Sequence, residues 1–475
     1  MNIFKPWNFG ETFILPPDPK DWLPAKHEAY YIAELILKLA KDNPLQYRDP
    51  EAGGRPAYHP VMMLIVMVFA YLRGVRSSRK IARLLEENIA FKVLSGDQCP
   101  DFRTLARFRA LNANWFEKML TRTLHVGMIM RVIDWSAVVV DGTPIQASAN
   151  QGKSLTLKGL KKLKEEELEA LAQDRAKAMM ADAQRIDGEE DLAFGDDLGR
   201  RSMLKLKGLS SERLERLDEA IAKASLLEGA RLRKERKARA VIIRRARPAR
   251  KPRRRVKGSK RRKIGAEGKR KLLSRLSSLR VPKKPKVNYT DPDSLTMKAK
   301  NGGFVQGYQV VRATDLHSGM ILVNHLSPTG GESRELPKVV EKVLKVTGIK
   351  QIFRLMADKG FGGEPNLLAV KKAQVYDLLI MQKATAKNAR VRAQLRLNQR
   401  KKYWLKQRGV AEGSNAGTKE ARGFRRFYLR RWGGAAIELA LDAVAHNLMK
   451  LRSKIKTLTD DKLQQALMNS ALCEG

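Results

Sequence analysis

The sequence predicts an α/β core that follows an all-α N-terminal domain and is interrupted by a basic, helical or disordered insertion. Three observations support this fold class. Apolar residues recur at helical spacing through about the first 130 residues. Short β-branched runs alternate with amphipathic segments between residues 307 and 455, as in a sheet covered by helices. A separate β-branched run at 136–141 lies far upstream, so we expect the first strand of the sheet to precede the insertion.

The N-terminal region reads as a set of short helices. HPVMMLIVMVFAYLRG predicts a buried helix that ends at Gly74, and Ser77 with Ser78 suits the start of the next helix, SRKIARLLEENIAFKVL. Pro100 and Asp101 favour a third helix start. Arginines give that third helix a basic surface, so a DNA-binding helical unit and a plain helical bundle with solvated arginines are both compatible with it (Arg103, Arg107, Arg109).

The later core elements follow in order. GYQVVRATD (307–315) and MILVNHLS (320–327) predict two strands joined as a hairpin. ESRELPKVVEKVLKVTG predicts an amphipathic helix that ends at Gly348, and IKQIFRLMAD predicts the next strand. A helix near PNLLAVKKA, a strand in YDLLIMQK and a final helix, AAIELALDAVAHNLMKLR, complete the α/β pattern.

The charge of the chain predicts a polyanionic partner. Lys and Arg number 94 against 50 Asp and Glu, which gives a formal charge of +44. Charge of this size repels itself in a compact fold, and phosphates that neutralise it release counterions. A nucleic acid is therefore the first candidate, ahead of membrane surfaces and acidic proteins.

Cysteine content and hydropathy exclude several classes. Two cysteines, Cys99 and Cys473, build neither a disulfide framework nor a CxxC metal motif, which fits a reducing compartment. The N-terminus lacks the pattern of a signal peptide, and the longest apolar run, 61–72, is shorter than the roughly 20 residues a bilayer needs. We expect an intracellular protein without a membrane partner. Without a GxGxxG or GxxxxGK[ST] motif, we expect no nucleotide cofactor.

The insertion contains the most basic segment. Residues 231–287 hold 27 Lys and Arg and only two acids, with several prolines. Within this segment, RRARPARKPRRRVKGSKRRK (244–263) has almost no apolar content, which predicts a disordered segment or an arm that orders on a polyanion, the alternative being a solvated tail. Its arginine clusters are candidate DNA contacts (Arg253, Arg254, Arg255, Arg261, Arg262).

Two aspartates follow buried strands. Asp141 comes after SAVVV, where Gly142 is expected to turn the chain, and Asp358 comes after IFRLMA in RLMADKGFGG. Strand C-terminal ends are where α/β sheets present functional groups, although Asp358 also fits an ordinary turn aspartate. A third acid on a nearby helix would complete an all-oxygen site for two divalent ions.

The third acid has several candidates. Arg408, Glu412 and Lys419 lie at spacings that place them along one face of a helix, where Glu412 could bind a metal beside phosphate-binding cations. An ordinary Arg–Glu surface pair is the simpler reading of that spacing. Glu438 in an apolar helix and Asp315 at a strand end are competing acids.

A segment rich in aromatic residues and arginine follows the third acid. GFRRFYLRRW (423–432) interleaves four aromatics with four arginines, which suits a stretch that tracks a nucleic-acid backbone and stacks on bases. A packed amphipathic helix with a basic outer face is the alternative. The arginines are candidate DNA contacts (Arg425, Arg426, Arg430, Arg431).

In their order, these motifs resemble bacterial insertion-sequence DDE transposases. VVVDGTPIQASAN, GYQVVRATDLHSGMILVNHLS, LMADKGFGG and RGVAEGSNAGTKEARGFRRF carry the resemblance, together with the N-terminal helices and AVAHNLMKL near the end. Arg408, Glu412 and Lys419 match an R-(3)-E-(6)-K signature, and the long insert after the first strand suits one group of the family. The resemblance covers most of the chain except about residues 155–290. Each motif is weakly specific alone, and the ordered set is strong.

The resemblance implies an RNase H-like core, a mixed sheet flanked by helices. It implies that Asp141, Asp358 and Glu412 are catalytic and hold two Mg²⁺ (or Mn²⁺) ions for cleavage and strand transfer. Lys419, Arg408 and Lys359 would contact DNA. One departure concerns a family tyrosine, whose position is Leu405 here, with Tyr403 and Trp404 off register.

The resemblance also implies partners and domains. The partners would be terminal inverted repeats, target DNA and a second copy of the chain or more, in the bacterial cytoplasm with the nucleoid. The alternative is a catalytically inactive or domesticated nucleic-acid-binding protein. We expect a helical DNA-binding and dimerisation domain, a core in two parts around the insertion, and a tail (1–130; 131–154 and 291–455; 155–290; 456–475).

Overall fold

A computed structural model describes most of the chain as two compact units. The first unit comprises residues 1–148, 299–302 and 307–475, and the second comprises 149–298 and 303–306. The residues that the structure describes are 19–40, 57–170, 173, 198–246, 270, 274, 284–298, 303–332, 334–370, 374–380 and 409–455.

The described residues in the N-terminal part of the first unit form six helices. They are α1 (Glu28–Ala40), α2 (Pro60–Leu72), α3 (Ser78–Glu87), α4 (Ile89–Ser95), α5 (Phe102–Leu111) and α6 (Ala113–Ile129). The predicted start of α5 is confirmed, because Asp101 accepts hydrogen bonds from the N–H groups of Arg103 and Thr104. The single helix predicted over residues 78–94 is instead α3 and α4, because Asn88 interrupts it and caps α4.

Gly74 ends α2 as predicted, with a φ of +75°. A Cβ at this position would lie 2.7 Å from the carbonyl oxygen of Arg422. Glycine is therefore needed twice, for the left-handed backbone and for a close approach to the C-terminal part of the unit.

Arg109 does not belong to the basic surface predicted for α5. Its side chain is buried and donates hydrogen bonds to the carbonyl oxygen of Arg76 and to the hydroxyls of Tyr71 and Ser78. Arg103 and Arg107 of the same helix are exposed. The predicted basic surface is therefore smaller, since Arg109 joins α5 to α2 and the start of α3.

The strands form one mixed sheet and one small two-stranded sheet. They are β1 (Val138–Gln146), β2 (Ser154–Thr156), β3 (Lys286–Asn288), β4 (Leu295–Lys298), β5 (Phe304–Asp315), β6 (Ile321–Ser327), β7 (Ile352–Ala357) and β8 (Val375–Ile380). The larger sheet has the order β4-β5-β1-β7-β8, and β6 also pairs with β5. β1 is antiparallel to β5 and parallel to β7, which is parallel to β8. The predicted mixed sheet is confirmed.

β1 is longer than the sequence predicts. The expected turn at Gly142 is wrong, because β1 continues to Gln146 in register with β5, and Gly142 pairs with Val311. Asp141 therefore lies within β1, one residue beyond Val140, the last residue of β1 that pairs with β7.

The later helices cover the sheet and join it to the N-terminal helices. Among the described residues they are α9 (Leu336–Thr347), α10 (Glu364–Ala369), α11 (Gly409–Ala416) and α12 (Arg431–Ile455). The helices α7 (157–170) and α8 (Leu198–Ala246) belong to the second unit. α12 packs against α2, α6 and β6, and α9 packs against β6 and α6. One continuous apolar core thus includes residues of the N-terminal helices, of α9 and α12, and of one face of the sheet.

The second unit has its own small core. The helix α7 (157–170), α8 (Leu198–Ala246), β2 and β3 belong to it, and Leu160, Leu217 and Val287 are buried together. α8 continues to Ala246, so it includes the first part of the basic segment and residues 244–246 of the stretch that is expected to be disordered. Most of that stretch lies outside the described residues. Glu228 and Glu235 pair with Arg231 along that helix. The predicted DNA contacts at Arg253 to Arg255, Arg261 and Arg262 lie outside the described residues.

No helix within the described ranges is both long enough and apolar enough to cross a bilayer.

Glu438, a competing candidate for the third acid, stabilises the start of α12. It is fully buried and accepts hydrogen bonds from the N–H groups of Tyr428 and Leu429. Burial raises the pKa of Glu438 to about 7, although these N–H groups and Arg109 favour its ionised form. Its carboxyl group is therefore occupied by the fold.

The free energy of unfolding should fall as the pH rises from about 4.5 to about 7, because folded Glu438 keeps a proton that the unfolded chain releases. Glu438→Gln removes this dependence and keeps an oxygen that can accept both N–H groups. By urea unfolding, we expect the variant to gain roughly 2–3 kcal/mol relative to wild type between pH 5 and pH 8. Exposed Glu117→Gln is the control. Parallel pH profiles for Glu438→Gln and wild type would contradict the raised pKa.

Candidate active site

Asp141 and Asp358 each directly follow the last residue pair of two adjacent parallel strands, β1 and β7. The register pairs Val139 with Met356 and Val140 with Ala357, so the two aspartates are the next residues along β1 and β7. Neighbouring strands are about 4.8 Å apart. Both side chains are half-buried. The structure therefore places the two predicted acids at equivalent positions, directly beyond the last residue pair that joins β1 to β7. This end of the β1–β7 pairing is called the strand edge below.

Local hydrogen bonds orient both carboxylates. Asp141 Oδ2 accepts a hydrogen bond of 2.7 Å from Asn415 Nδ2, and its Oδ1 accepts one of 2.9 Å from the N–H of Gly142. Asp358 Oδ1 accepts a hydrogen bond from the N–H of Lys359 and caps a short 3₁₀ turn. The interpretation of Asp358 as a turn residue is thus correct. It does not exclude a role in the site, because Asp358 directly follows Ala357, the partner of Val140 in the pairing of β1 with β7.

The helix α11 brings the segment of Glu412 to this edge. Asn415, whose side chain contacts Asp141, lies one turn after Glu412 on α11. The side chain of Glu412 lies outside the described part of the chain, as do Arg408, Leu405, Tyr403 and Trp404. Beyond α11 the chain forms a π-helical turn over Gly417–Ala421, so regular helical spacing does not extend to half-buried Lys419.

A buried arginine connects the sheet to α11. Arg312 pairs with Asp141 across β1 and β5, so both side chains project from the same face. The Nη1 of Arg312 donates to the carbonyl oxygen of Ser414 at 3.2 Å and to the hydroxyl of Thr418 at 2.6 Å. Its Nη2 donates to Asp442 Oδ2 at 3.2 Å. Arg312 is 1% exposed, so these contacts form away from water.

Asp442 on α12 binds two guanidinium groups, those of Arg312 and Arg422. Its other oxygen, Oδ1, accepts a hydrogen bond of 2.8 Å from Arg422 Nε, and Arg422 also donates to Thr418. Burial opposes the charge of Asp442, yet Arg422 and Arg312 hold the pKa of this carboxyl below its usual range. Burial and Arg422 lower the pKa of neighbouring His446 to about 3, so His446 is neutral. The four side chains Arg312, Thr418, Arg422 and Asp442 are called the arginine network below.

The donor atoms at the edge suit a hard divalent cation. Asp141 and Asp358 offer carboxylate oxygens, which are the ligands that Mg²⁺ takes. Asn415 is 7% exposed, and its Oδ1 has no hydrogen-bond partner among the described residues. An orphaned buried oxygen beside a carboxylate fits a site for a cation. No three acidic, histidine or cysteine side chains of the described ranges are already gathered for a metal ion.

The segment 423–430 is an extended strap, which excludes the helical alternative for it. It runs beside the end of β1, where Gln146 donates its N–H to the carbonyl oxygen of Arg425 and accepts from the N–H of Phe427. Phe424 and Phe427 are fully buried and pack edge to face, so neither is free to stack on a base. The four predicted arginines and Lys359 are all exposed (Lys359, Arg425, Arg426, Arg430, Arg431).

Sequence reasoning misses the residues that support the acids. Asn415 lies three residues after Glu412, but nothing in the local sequence distinguishes it from an ordinary helix residue. Arg312 reads as one charge in a strand of apolar residues, and Asp442 reads as one acid in an apolar helix. Asp315, the competing strand-end acid, is buried and accepts hydrogen bonds from the backbone and hydroxyl of Ser318, so it stabilises a turn.

Asp442→Asn should destabilise the protein, because it leaves two buried guanidinium groups without a counter-ion. We expect the free energy of unfolding to fall by about 3–5 kcal/mol in urea titrations. The control Glu420→Gln breaks an exposed ion pair with Arg425 and should cost at most about 1 kcal/mol. Equal small losses for both variants would contradict a structural role for the arginine network.

Two family models match the chain. One, described as Transposase domain (DUF772), matches residues 17–111, which span the N-terminal helices to α5. The other, described as Transposase DDE domain, matches residues 277–448, which include Asp358 and Glu412. Asp141 lies upstream of the second match and reaches it through the pairing of β1 with β5 and β7.

The comparison with curated proteins and the comparison with solved structures give no match. Proteins with the transposase DDE domain act on DNA and generally use divalent metal ions. The two matched segments hold α1 to α5 and most of the mixed sheet. The two matches support an insertion-sequence DDE transposase, and the DDE domain implies that the mixed sheet is an RNase H-like core.

Proposed function

We propose that this chain binds the terminal inverted repeats of an insertion sequence, cuts the DNA there and transfers the cut ends to target DNA. The observation that carries the proposal is the register-matched pair Asp141 and Asp358, with the helix of Glu412 anchored against Asp141 through Asn415. Strand-edge carboxylates on adjacent parallel strands are a suitable frame for phosphodiester chemistry.

In the proposed site, Asp141, Asp358 and Glu412 hold two Mg²⁺ (or Mn²⁺) ions. Bound there, the ions supply activation of the attacking oxygen and stabilisation of the leaving oxygen. In cleavage, the oxygen of water bonds to phosphorus, the 3′ oxygen leaves and takes a proton, and a 3′-OH results. In transfer, that 3′-OH loses its proton and bonds to a target phosphorus as the target 3′ oxygen leaves. One phosphodiester replaces another, so no nucleotide is consumed.

The residues around the acids keep this geometry. Asn415 fixes one oxygen of Asp141, and the arginine network fixes α11 against β5 and α12. Arg312 also places a positive charge on the face of β1 that carries Asp141. The ligands are therefore held before substrate arrives, which lowers the cost of binding.

The DNA path follows the exposed cations. The arginines of the extended strap border the end of β1 beyond Asp141, and Lys359 follows Asp358. Cations at these positions suit the phosphates on either side of the cut bond. Arg408, half-buried Lys419 and the arginines of the insertion are further proposed contacts.

The remaining assignments follow from pairing two DNA ends. We assign DNA binding and dimerisation to residues 1–130, and we expect a homodimer or a larger assembly on DNA. The insertion at 155–290 and the core at 131–154 and 291–455 keep their proposed boundaries. The proposed location is the cytoplasm, with the nucleoid as the source of DNA.

Purified protein should cut DNA that carries the terminal repeats of its element only when Mg²⁺ or Mn²⁺ is added. Asp358→Asn should lower the cleavage rate by at least about a thousandfold, since it removes a metal-holding charge, whereas exposed Asp134→Asn should not. Gel assays of cleavage and of binding on the same samples separate the outcomes. Full cleavage by Asp358→Asn would contradict the assigned acids. Salt-sensitive binding without cleavage by the wild type would favour the non-catalytic nucleic-acid-binding alternative.

A further inference from the structure

The carboxyl group of Glu332 lies between the two glycines that follow the aspartates. A Cβ on Gly142 would lie 2.2 Å from Glu332 Oε2, and a Cβ on Gly360 would lie 3.4 Å from Glu332 Cδ. Gly142 directly follows Asp141, and Gly360 lies two residues after Asp358. A third acid of the described residues thus lies next to both segments of the site.

Close approach explains the glycine at position 142. Gly142 lies inside β1 and has no positive φ, so its backbone does not require glycine. Glycine within a strand costs stability and often marks a site where another group approaches closely. The groups that approach here are the carboxylate of Glu332 and the side chain of Gln309, whose Nε2 would lie 2.9 Å from a Cβ at this position.

The segment that carries Glu332 is fixed by hydrogen bonds. It connects β6 to α9, and the hydroxyl of Ser327 donates to the carbonyl oxygen of Gly331 at 2.6 Å. The N–H of Glu335 donates to the carbonyl oxygen of Glu332 at 3.1 Å. The carboxylate of Glu335 is buried and bonds to His325 Nε2. Glu332 is therefore held at the sheet by its own backbone and by the residue at the start of α9.

Acids approach the strand edge from both faces of the sheet. Side chains alternate along β1, so a Cβ on Gly142 would project from the face opposite to that of Asp141. Asn415 and its helix α11 contact Asp141 on its own face. Glu332 occupies the other side, at the level where β7 has ended.

We propose that Glu332 is a further carboxylate ligand of the divalent-ion site, and that Gly142 leaves the space for it. The inference rests on the proposed function. Carboxylates of like charge at one edge repel one another unless a cation lies between them. The described acids do not yet converge, so the bound ion would draw Glu332 toward Asp141 and Asp358. On the Asp141 side of this edge, Asn415 Oδ1 has no hydrogen-bond partner among the described residues, so it is a further oxygen that could bind the cation.

Binding of Mn²⁺ to the full-length protein tests the proposal, with free Mn²⁺ followed by electron paramagnetic resonance. Glu332→Gln keeps the shape of the side chain and should weaken Mn²⁺ binding by about tenfold or more. Glu341→Gln, an exposed change of equal charge on α9, should leave the affinity within about twofold. Unchanged affinity in Glu332→Gln, with binding lost in Asp141→Asn and Asp358→Asn, would overturn the inference and leave the proposed function standing. A wild type that binds no Mn²⁺ would overturn both.

A pair of variants tests the position of Glu332 without metal. Gly142→Ala should lower the midpoint of urea unfolding, because its Cβ collides with Glu332. In a Glu332→Ala background the same change should cost clearly less, with the remainder coming from Gln309. Equal shifts in both backgrounds would contradict the contact and overturn the proposal.

Discussion

The buried bridge from Arg312 through Asp442 to Arg422 is the interaction on which the rest of the site depends. It joins β5 to α12 and to the turn that follows α11, and the side chains of Arg312 and Asp442 are both buried. Ion pairs of this kind add little net stability, but removing one partner is costly, so they specify one arrangement of the elements they join. Here the arrangement sets α11 against Asp141. The position of Glu412 on that helix therefore depends on this charge network.

The N-terminal helices reinforce the same region. The guanidinium of Arg76 donates to the carbonyl oxygens of Arg422 and Gly423 and lies 4.5 Å from the ring centroid of Phe424. Gly74 permits the close approach of this loop to Arg422. The buried aromatic rings then hold the extended strap beside β1, which leaves its arginines exposed. A domain expected to bind DNA thus also stabilises the loop that follows the candidate active site.

Local signals account for what the sequence predicts correctly. Periodicity locates α2, α9 and α12, and the β-branched run before Asp358 locates β7 with its acid at the end. Longer-range effects account for the errors. The Asp-Gly pair at 141–142 has the chemistry of a turn, but pairing with β5 keeps both residues in a strand. Arg312 and Asp442 are 130 residues apart, so the local sequence around one does not indicate the other. Glu332 can approach the segment of Asp141 only because Gly142 has no Cβ.

The central claim is that the edge shared by β1 and β7 holds divalent cations between acids presented by different elements. Crystals of the protein grown with Mn²⁺ and a cut DNA end, measured at the manganese absorption edge, test it most directly. The account predicts anomalous peaks within coordination distance, about 2.2 Å, of carboxylate oxygens of Asp141 and Asp358. Manganese bound only elsewhere, with both aspartates unliganded beside the DNA end, would contradict it.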